Sequence, residues 1–206
     1  MDILQRLYAE VDACAFCKKA KNPLAHIHGY GVIRPRLMLV LVNPTYRNIS
    51  AHAGYRGPRF PFLGVRQFWN ILADGGLIAK HDLPLRAEWS ADHTAKIQKE
   101  LVKNKLFLTN IVKCCYNHSE YPPKEVVEAQ KKLLAQEISL VRPQRIVAFG
   151  ALVYKTLTGK DIKLSDPPKV EQSETISALN IPVSACYFPI GRGSPTKAIK
   201  ILKQLI

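Results

Sequence analysis

The chain has 206 residues, of which 47% are hydrophobic and 22% are charged, so it is long enough for one domain with a full hydrophobic core. Its 30 Lys and Arg against 16 Asp and Glu give a net charge of +14, which favours polyanionic partners such as nucleic acid. The sequence contains no apolar run near the ~20 residues of a membrane span and no signal-peptide pattern, so we expect a cytoplasmic protein without a membrane partner.

Four apolar runs predict buried parallel strands, and segments with helical spacing separate them. In chain order the predicted elements are helix 2–13, strand 37–42, a long loop at 45–64, helix 68–77, strand 106–112, helix 122–140, strand 145–150, helix 151–157, strand 181–188 and helix 197–206. This alternation indicates an α/β fold. We therefore predict a single domain over residues 1–206, with three αβα layers around a mainly parallel, four-stranded sheet.

Polar residues lie at or near the ends of three of the predicted strands. They are Asn43, with Phe62 nearby in sequence, Asn110, and the segment Gly191–Ser194. In open α/β sheets, ligands bind at the carboxyl ends of the strands. The sequence therefore predicts a binding site formed by these residues at one edge of the sheet.

Three blocks of sequence resemble the uracil-DNA glycosylase superfamily. The first joins LFLTNIVKC (106–114) to LVRPQRIVAFGALVYKTLTG (140–159), and it is similar to the core of families 4 and 5. The second joins LMLVLVNPT (37–45) to PFLGVRQFWNILADGGL (61–77), where VNP resembles a motif of the mismatch-specific and single-strand-selective branches. The third is ACYFPIGRGSP (185–195). The blocks occur in the family's order and cover most of the chain.

The resemblance implies a monofunctional DNA glycosylase that acts in base excision repair. Such an enzyme flips a deaminated base out of DNA and excises it by water attack on the N-glycosidic bond, with uracil as the first expected substrate and hypoxanthine or xanthine next. The implied partner is DNA that contains a damaged base. A nucleoid-associated monomer is expected.

The resemblance also assigns roles to individual residues. Asn110 corresponds to the residue that hydrogen-bonds the flipped base, and Phe62 to the aromatic ring that stacks on it. Asn43 corresponds to the residue that positions the attacking water. Arg192, Gly193 and Ser194 fall in the family's DNA-facing loop, where Arg192 stands in place of the usual His.

The five cysteines point to free thiols or metal ligands in a reducing compartment. Families 4 and 5 hold a [4Fe–4S] cluster with four cysteines, and Cys14, Cys17 and Cys114 match the first three of them. The fourth position is Gln130, and Cys115 is poorly placed to replace it. His118, or His26 and His28, would complete a Cys3His set that also suits zinc. Cys186 lies in an apolar run and is expected in the core.

Two other functions stay open at this point. The missing His and the missing fourth Cys favour a catalytically silent member of the same fold that binds lesions or DNA without excision. A small-molecule enzyme with a nucleotide site has less support, because the sequence lacks G-x-G-x-x-G and G-x-x-x-x-G-K-[ST]. Lys197, Lys200 and Lys203 of the last helix would face either phosphate or solvent.

Overall fold

The computed structural model describes residues 3–19, 24–116, 121–165, 174–176, 179–191 and 193–206. In chain order its helices and strands are α1 (Ile3–Asp12), α2 (Ala15–Lys19), β1 (Tyr30–Gly31), β2 (Leu37–Leu41), α3 (Arg66–Asp74), α4 (Ala91–Lys103), β3 (Leu106–Asn110), α5 (Lys124–Val141), β4 (Ile146–Phe149), α6 (Ala151–Thr158), β5 (Glu174–Ile176), β6 (Ile181–Cys186) and α7 (Pro195–Lys203). Two short 3₁₀ turns, Ile49–Ala51 and Arg86–Glu88, precede α3 and α4.

A single sheet with strand order β1-β3-β2-β4-β6-β5 forms the centre of the fold. Its inner four strands are parallel, with Leu39 of β2 opposite both Leu108 of β3 and Val147 of β4. β1 and β5 pair antiparallel at the two outer edges. The predicted α/β class and the four parallel strands are confirmed, and the sheet has two additional edge strands of two and three residues. Strands this short have no hydrophobic alternation to detect.

Helices cover both faces of the sheet, which explains why β2 is apolar at every position. Leu39 and Leu41 pack in a cluster with residues of α3, α4 and α7. Met38 and Val40 point to the opposite face and pack with residues of α5 and α6, while α1 lies against α5. The three-layer αβα arrangement is therefore confirmed. Among the described residues, every helix is too short or too polar to cross a lipid bilayer.

Among the residues that the structure describes, α4 is the one long element that the sequence analysis missed. Most of its 13 residues are polar, and the buried Ile97 and Leu101 form only a narrow apolar stripe. Its amino end carried a local signal, because Ser90 and His93 form a capping box: the Ser90 N–H donates to His93 Nδ1 over 3.1 Å. The tertiary contact of α4 with β1 and β3 then buries the stripe.

We predict that Arg142→Gly stabilises the protein. Arg142 ends α5 in the left-handed conformation, with φ 52° and ψ 60°, and its N–H donates to Ile138 O over 2.8 Å. Because Gly adopts this conformation without the steric cost that a Cβ imposes, the substitution should raise the free energy of unfolding by about 0.5–1 kcal/mol in urea denaturation. As a control, Lys132→Gly in the exposed middle of α5 should lower it by about 1 kcal/mol. A loss of stability in both variants would contradict this explanation.

Candidate active site and cysteine cluster

The parallel pairing of β2 and β3 places two predicted site residues at one edge of the sheet. Leu41 of β2 lies opposite Asn110 of β3. The pairing continues past both strands, because Ile111 N–H donates to Leu41 O over 2.8 Å and Val112 N–H donates to Val42 O over 2.9 Å. Asn43 follows directly, so the two asparagines lie at the same carboxyl edge, where open α/β sheets bind ligands.

The Asn110 side chain is fully buried, and its amide has no protein partner among the described residues. Neither Nδ2 nor Oδ1 makes a hydrogen bond there. An unpaired polar group in a protein interior costs about 1–3 kcal/mol, so native structures rarely contain one without a reason. A side-chain amide offers both a donor and an acceptor in fixed geometry. Asn110 can therefore supply the polar contacts that a heterocyclic base needs.

A buried ammonium group holds the backbone at Asn110. Lys113 is 1% exposed, and its Nζ donates to Asn110 O over 2.5 Å, to Thr109 Oγ1 over 2.6 Å and to Glu137 Oε2 over 2.7 Å. These three acceptors match the three protons of an ammonium. Lys113 thus fixes the end of β3 at the position from which the Asn110 side chain projects.

The counter-ion of Lys113 is itself fully paired. Glu137 Oε2 also accepts from Thr109 Oγ1 over 2.9 Å, and its Oε1 accepts from Tyr8 OH over 2.7 Å. Burial lowers the pKa of Lys113, and the attraction of Glu137 opposes this effect. Burial and the nearby carboxylate raise the pKa of Tyr8, which therefore remains a donor. The network joins α1, β3 and α5 behind the candidate site.

Phe62 has a strained backbone and lies in an aromatic stack. Its φ is 64°, in the left-handed region that bulky residues rarely adopt, and its carbonyl oxygen accepts from Trp69 Nε1 over 3.0 Å. Its ring stacks on Phe68 with 4.0 Å between centroids, and Phe68 meets Phe149 edge-on at 6.5 Å. Because Phe149 ends β4, the stack links half-buried Phe62 to the carboxyl ends of the strands.

Asn43 is half-buried and keeps one side-chain atom available. Its Nδ2 donates to Pro44 O over 3.0 Å. This bond fixes the amide and directs Nδ2 to the backbone, so Oδ1 is the atom that can accept a hydrogen bond from a bound water. The arrangement can orient water without acting as a strong base.

The loop after β6 leads from the sheet edge into α7. Gly193 N–H donates to Ile190 O over 3.0 Å, and Ser194 N–H donates to Phe188 O over 2.9 Å. A Cβ at Gly193 would collide with the carbonyl of Phe188, so this turn requires glycine. Arg192 lies outside the described residues, and its predicted role is therefore untested.

Cationic side chains surround the loop that follows Asn43. Arg47 and Arg56 are exposed, and the Arg86 guanidinium lies over the Tyr46 ring, 5.5 Å from its centroid. Lys197 of α7 is also exposed and lies 5.1 Å from the centroid of the Tyr187 ring, beside the other loop of the site. Positive charge next to a candidate base-binding site suits a phosphate backbone.

Cys14, Cys17, His26 and Cys114 form a second polar cluster. One potential ligand atom from each lies within 4.8 Å of all the others, and the Cys14 and Cys114 sulfurs are 3.6 Å apart. The three predicted cysteine ligands thus come together, and this group could hold a metal ion. Of the histidines considered in the sequence analysis, His26 lies in the cluster, whereas His28 lies outside it, 2.8 Å from Asp12. His118 falls outside the described residues.

The cluster favours a thiolate at Cys17. The proximity of Cys114 and His26 lowers the pKa of Cys17 to about 4, although burial opposes this shift. Burial alone would lower the pKa of His26, but the nearby Asp12 carboxylate and Cys17 thiolate raise it to about 10. The proximity of Cys17 and burial raise the pKa of Cys114. Since metal ions bind thiolates and neutral imidazole, metal binding would displace the proton of His26.

Gln130 lies where the resemblance expects a fourth cysteine ligand. It is 2% exposed, its Nε2 donates to Cys114 Sγ over 2.9 Å, and its Oε1 accepts from Lys113 N–H over 2.6 Å. An amide held by these two hydrogen bonds does not replace the fourth thiolate ligand of a cluster that is bound by four cysteines. Cys115 is buried in a separate small cluster with Ile27 and Ala51, and Cys186 lies in the core as predicted. The residues present therefore do not fit the usual [4Fe–4S] ligand set.

The sequence analysis did not single out Lys113, Glu137 or Tyr8. A signal was present for two of them, because Lys113 follows an apolar strand directly and Glu137 falls among the apolar positions of α5. Charged residues at such positions are rarely buried unless they are paired. Only the tertiary structure shows that they pair with each other.

The chain is similar to known uracil-DNA glycosylases, as a family model and one curated relative show. A model of the uracil DNA glycosylase superfamily matches residues 28–199. A Type-4 uracil-DNA glycosylase from Pyrobaculum aerophilum is 40% identical to this chain over 52 residues, which is 25% of this chain and 26% of that protein. The match thus spans about a quarter of the curated relative's length.

We predict that breaking the buried ion pair from one side destabilises the fold strongly. Lys113→Met leaves the Glu137 carboxylate buried without its cation, and it should lower the free energy of unfolding by about 3–5 kcal/mol. Lys113→Met combined with Glu137→Gln removes both charges, so urea denaturation should show recovery of part of this loss.

The matched control is the surface pair of Lys155 and Asp161, whose Nζ and Oδ2 atoms are 2.9 Å apart, close to the 2.7 Å that separates the atoms of the buried pair. Lys155→Met should cost at most about 1 kcal/mol, because solvent screens this pair. Equal losses in Lys113→Met and Lys155→Met would show that burial of the first pair is not important.

Proposed function

Because the chain belongs to the uracil DNA glycosylase superfamily, we propose that it is a monofunctional DNA glycosylase of base excision repair. It flips uracil out of DNA and hydrolyses the bond between the base and its sugar. The observation that carries this proposal is the buried amide of Asn110 at the carboxyl edge of the sheet, which has no hydrogen-bond partner in the described part of the chain. The family match also confirms the resemblance that the three sequence blocks indicated.

Base recognition is assigned to Asn110 and Phe62. The edge of uracil offers carbonyl acceptors next to an N–H donor, and one amide can bind both kinds of group at once. Phe62 supplies a face for stacking, and Phe68 supports its ring from the other side. Since the Asn110 amide is closed to solvent, a base reaches it only when side chains at the sheet edge move.

The chemical step requires a positioned water and a stabilised leaving group. Cleavage of the N-glycosidic bond builds positive charge on the sugar and negative charge on the departing base. Asn43 orients the water toward the sugar carbon, because Oδ1 accepts one of its protons while Nδ2 stays bound to Pro44 O. Asn110 Nδ2 donates to a carbonyl of the base and stabilises the charge that grows there.

DNA binding is assigned to the two loops that border the site. The cations around 45–64, the turn at Gly193 and Ser194, and exposed Lys197 lie on or next to these loops. The proposed partner is DNA with a damaged base, and the protein acts as a monomer in the cytoplasm, associated with the nucleoid. The role of Arg192 in place of a His stays a prediction, as do hypoxanthine and xanthine as further substrates.

A catalytically silent DNA-binding protein of the same fold is the second candidate. The feature that favours it is the sequence of the last loop, which has Arg192 where an active relative would have the His that stabilises the leaving base. If the protein is a glycosylase, substitution of Asn43 lowers the yield of excised base. If the protein only binds DNA, the same substitution leaves binding unchanged. Excision and binding must therefore be measured separately.

We expect Asn43→Ala to lose excision and keep binding. The substrate is an end-labelled oligonucleotide with a single uracil, followed by alkaline cleavage of abasic sites. The single-turnover rate should fall about 100-fold or more, because the attacking water is no longer oriented, while the Kd in a gel shift stays close to that of the wild type. Asn180→Gly, at the opposite edge of the sheet before β6, is the matched control and should keep full activity. Wild-type protein that binds uracil-containing DNA without cleaving it would instead establish the silent binder.

We expect Asn110→Ala and Phe62→Ala to weaken recognition of the base itself. Each should reduce the preference for uracil-containing over undamaged DNA by about 10-fold or more, because a good polar or stacking contact contributes about 1–3 kcal/mol. Competition binding with matched duplexes measures this preference. Unchanged preference in both variants, with folding verified by circular dichroism, would remove these residues from the base site.

A further inference from the structure

The cysteine cluster brings ligand atoms from three separate segments to one point. Cys14 and Cys17 come from the α1–α2 region, His26 from the loop before β1, and Cys114 from the segment after β3. All four ligand atoms lie within 4.8 Å of one another. Thiolates and imidazole in such a group bind zinc and other borderline-soft ions.

The spacing of these atoms matches one metal ion. In a tetrahedral zinc site with Zn–S bonds of about 2.3 Å, neighbouring ligand sulfurs lie about 3.8 Å apart. The sulfurs of Cys14 and Cys114 are 3.6 Å apart. A four-iron cluster attaches each thiolate to a different iron, so its ligands are spread more widely than those of a single ion.

His26 has the environment of a metal-binding histidine. Its Nδ1 lies 3.5 Å from Asp12 Oδ1, and its Nε2 is buried without a hydrogen-bond partner in the described part of the chain. A carboxylate on one ring nitrogen orients the ring and leaves the other nitrogen to bind the metal. His28 contacts the same carboxylate over 2.8 Å, but it does not belong to the group of ligand atoms.

Gln130 acts on the cluster from outside the ligand set. Its Nε2 lies 2.9 Å from Cys114 Sγ and 3.7 Å from Cys14 Sγ, and its orientation is fixed by the N–H of Lys113. An N–H group that donates to a thiolate stabilises the negative charge on sulfur. Outer contacts of this kind typically change metal affinity by about 10–100-fold.

We propose that Cys14, Cys17, His26 and Cys114 hold a single zinc ion at the place where the resemblance implies a [4Fe–4S] cluster, with Gln130 as a donor to the Cys114 thiolate. Four protein ligands close the coordination sphere, so the ion is structural. It ties the α1–α2 region to the segment that carries Asn110 and Lys113. The inference is independent of the proposed glycosylase activity.

The first experiment measures the metal content of the full chain. The protein is produced in medium that contains both iron and zinc, purified without oxygen or chelator, and analysed by elemental mass spectrometry, sulfide assay and visible absorbance. We expect about one zinc per chain, no acid-labile sulfide and no band near ~400 nm. Iron with labile sulfide and that band would overturn the proposal, and so would metal-free protein.

Variants then test the ligand set with zinc itself as the probe. Competition with a chromophoric chelator should show that His26→Ala weakens zinc binding by more than about 100-fold, whereas its matched control His28→Ala binds as the wild type does. Gln130→Leu should weaken binding by about 10–100-fold, while Cys115→Ala, next to a ligand, should not. Equal zinc affinity in His26→Ala and His28→Ala would overturn the assignment of His26.

A stability measurement on the wild-type chain tests the same role without relying on variants that fold poorly. If zinc links the three segments, a strong chelator should lower the Tm of the wild-type chain, and added zinc should restore it. A chelator that leaves the Tm of zinc-loaded protein unchanged would overturn the structural role. Because none of these readouts involves DNA, their failure is distinguishable from failure of the proposed excision activity.

Discussion

The buried ammonium of Lys113 connects the two polar regions of the molecule. Its Nζ binds the carbonyl oxygen of Asn110, and its backbone N–H binds Gln130, which in turn donates to Cys114. A charge at 1% exposure is tolerated only because Glu137, Thr109 and Asn110 accept all of its protons. The position of the candidate base-binding amide and the shape of the cysteine cluster therefore depend on one residue and its partners.

This connection explains how a site with few functional groups can hold them in precise positions. The proposed chemistry needs no strong nucleophile, and it relies on an amide for the base, an aromatic face and an oriented water. Small displacements of such groups reduce catalysis severely, so their supports matter as much as the groups themselves. β2–β3 pairing supports Asn43 and Asn110, and the stack of Phe62, Phe68 and Phe149 extends to the end of β4.

In the proposed zinc site, the metal differs from that of the implied cluster while the site keeps its place in the fold. Three cysteines of the implied cluster are present and close together, and the fourth is replaced by an amide that contacts sulfur. A histidine from another segment fills the ligand group. Since a structural ion acts by linking segments, a different metal can serve this purpose as long as the ligands meet.

The fold class, the four parallel strands and the strand ends that carry Asn43 and Asn110 could be predicted from the sequence alone, and the single domain stays a prediction. These features follow from local patterns, because apolar runs bounded by turns form strands and polar residues at their ends lie at one edge. The short edge strands β1 and β5 and the polar helix α4 were not predicted, since their stability comes from neighbours that are distant in sequence. The choice of His26 over His28 and the pairing of Lys113 with Glu137 were decided only by the tertiary structure. Both depend on distances between segments, and a linear sequence does not contain those distances.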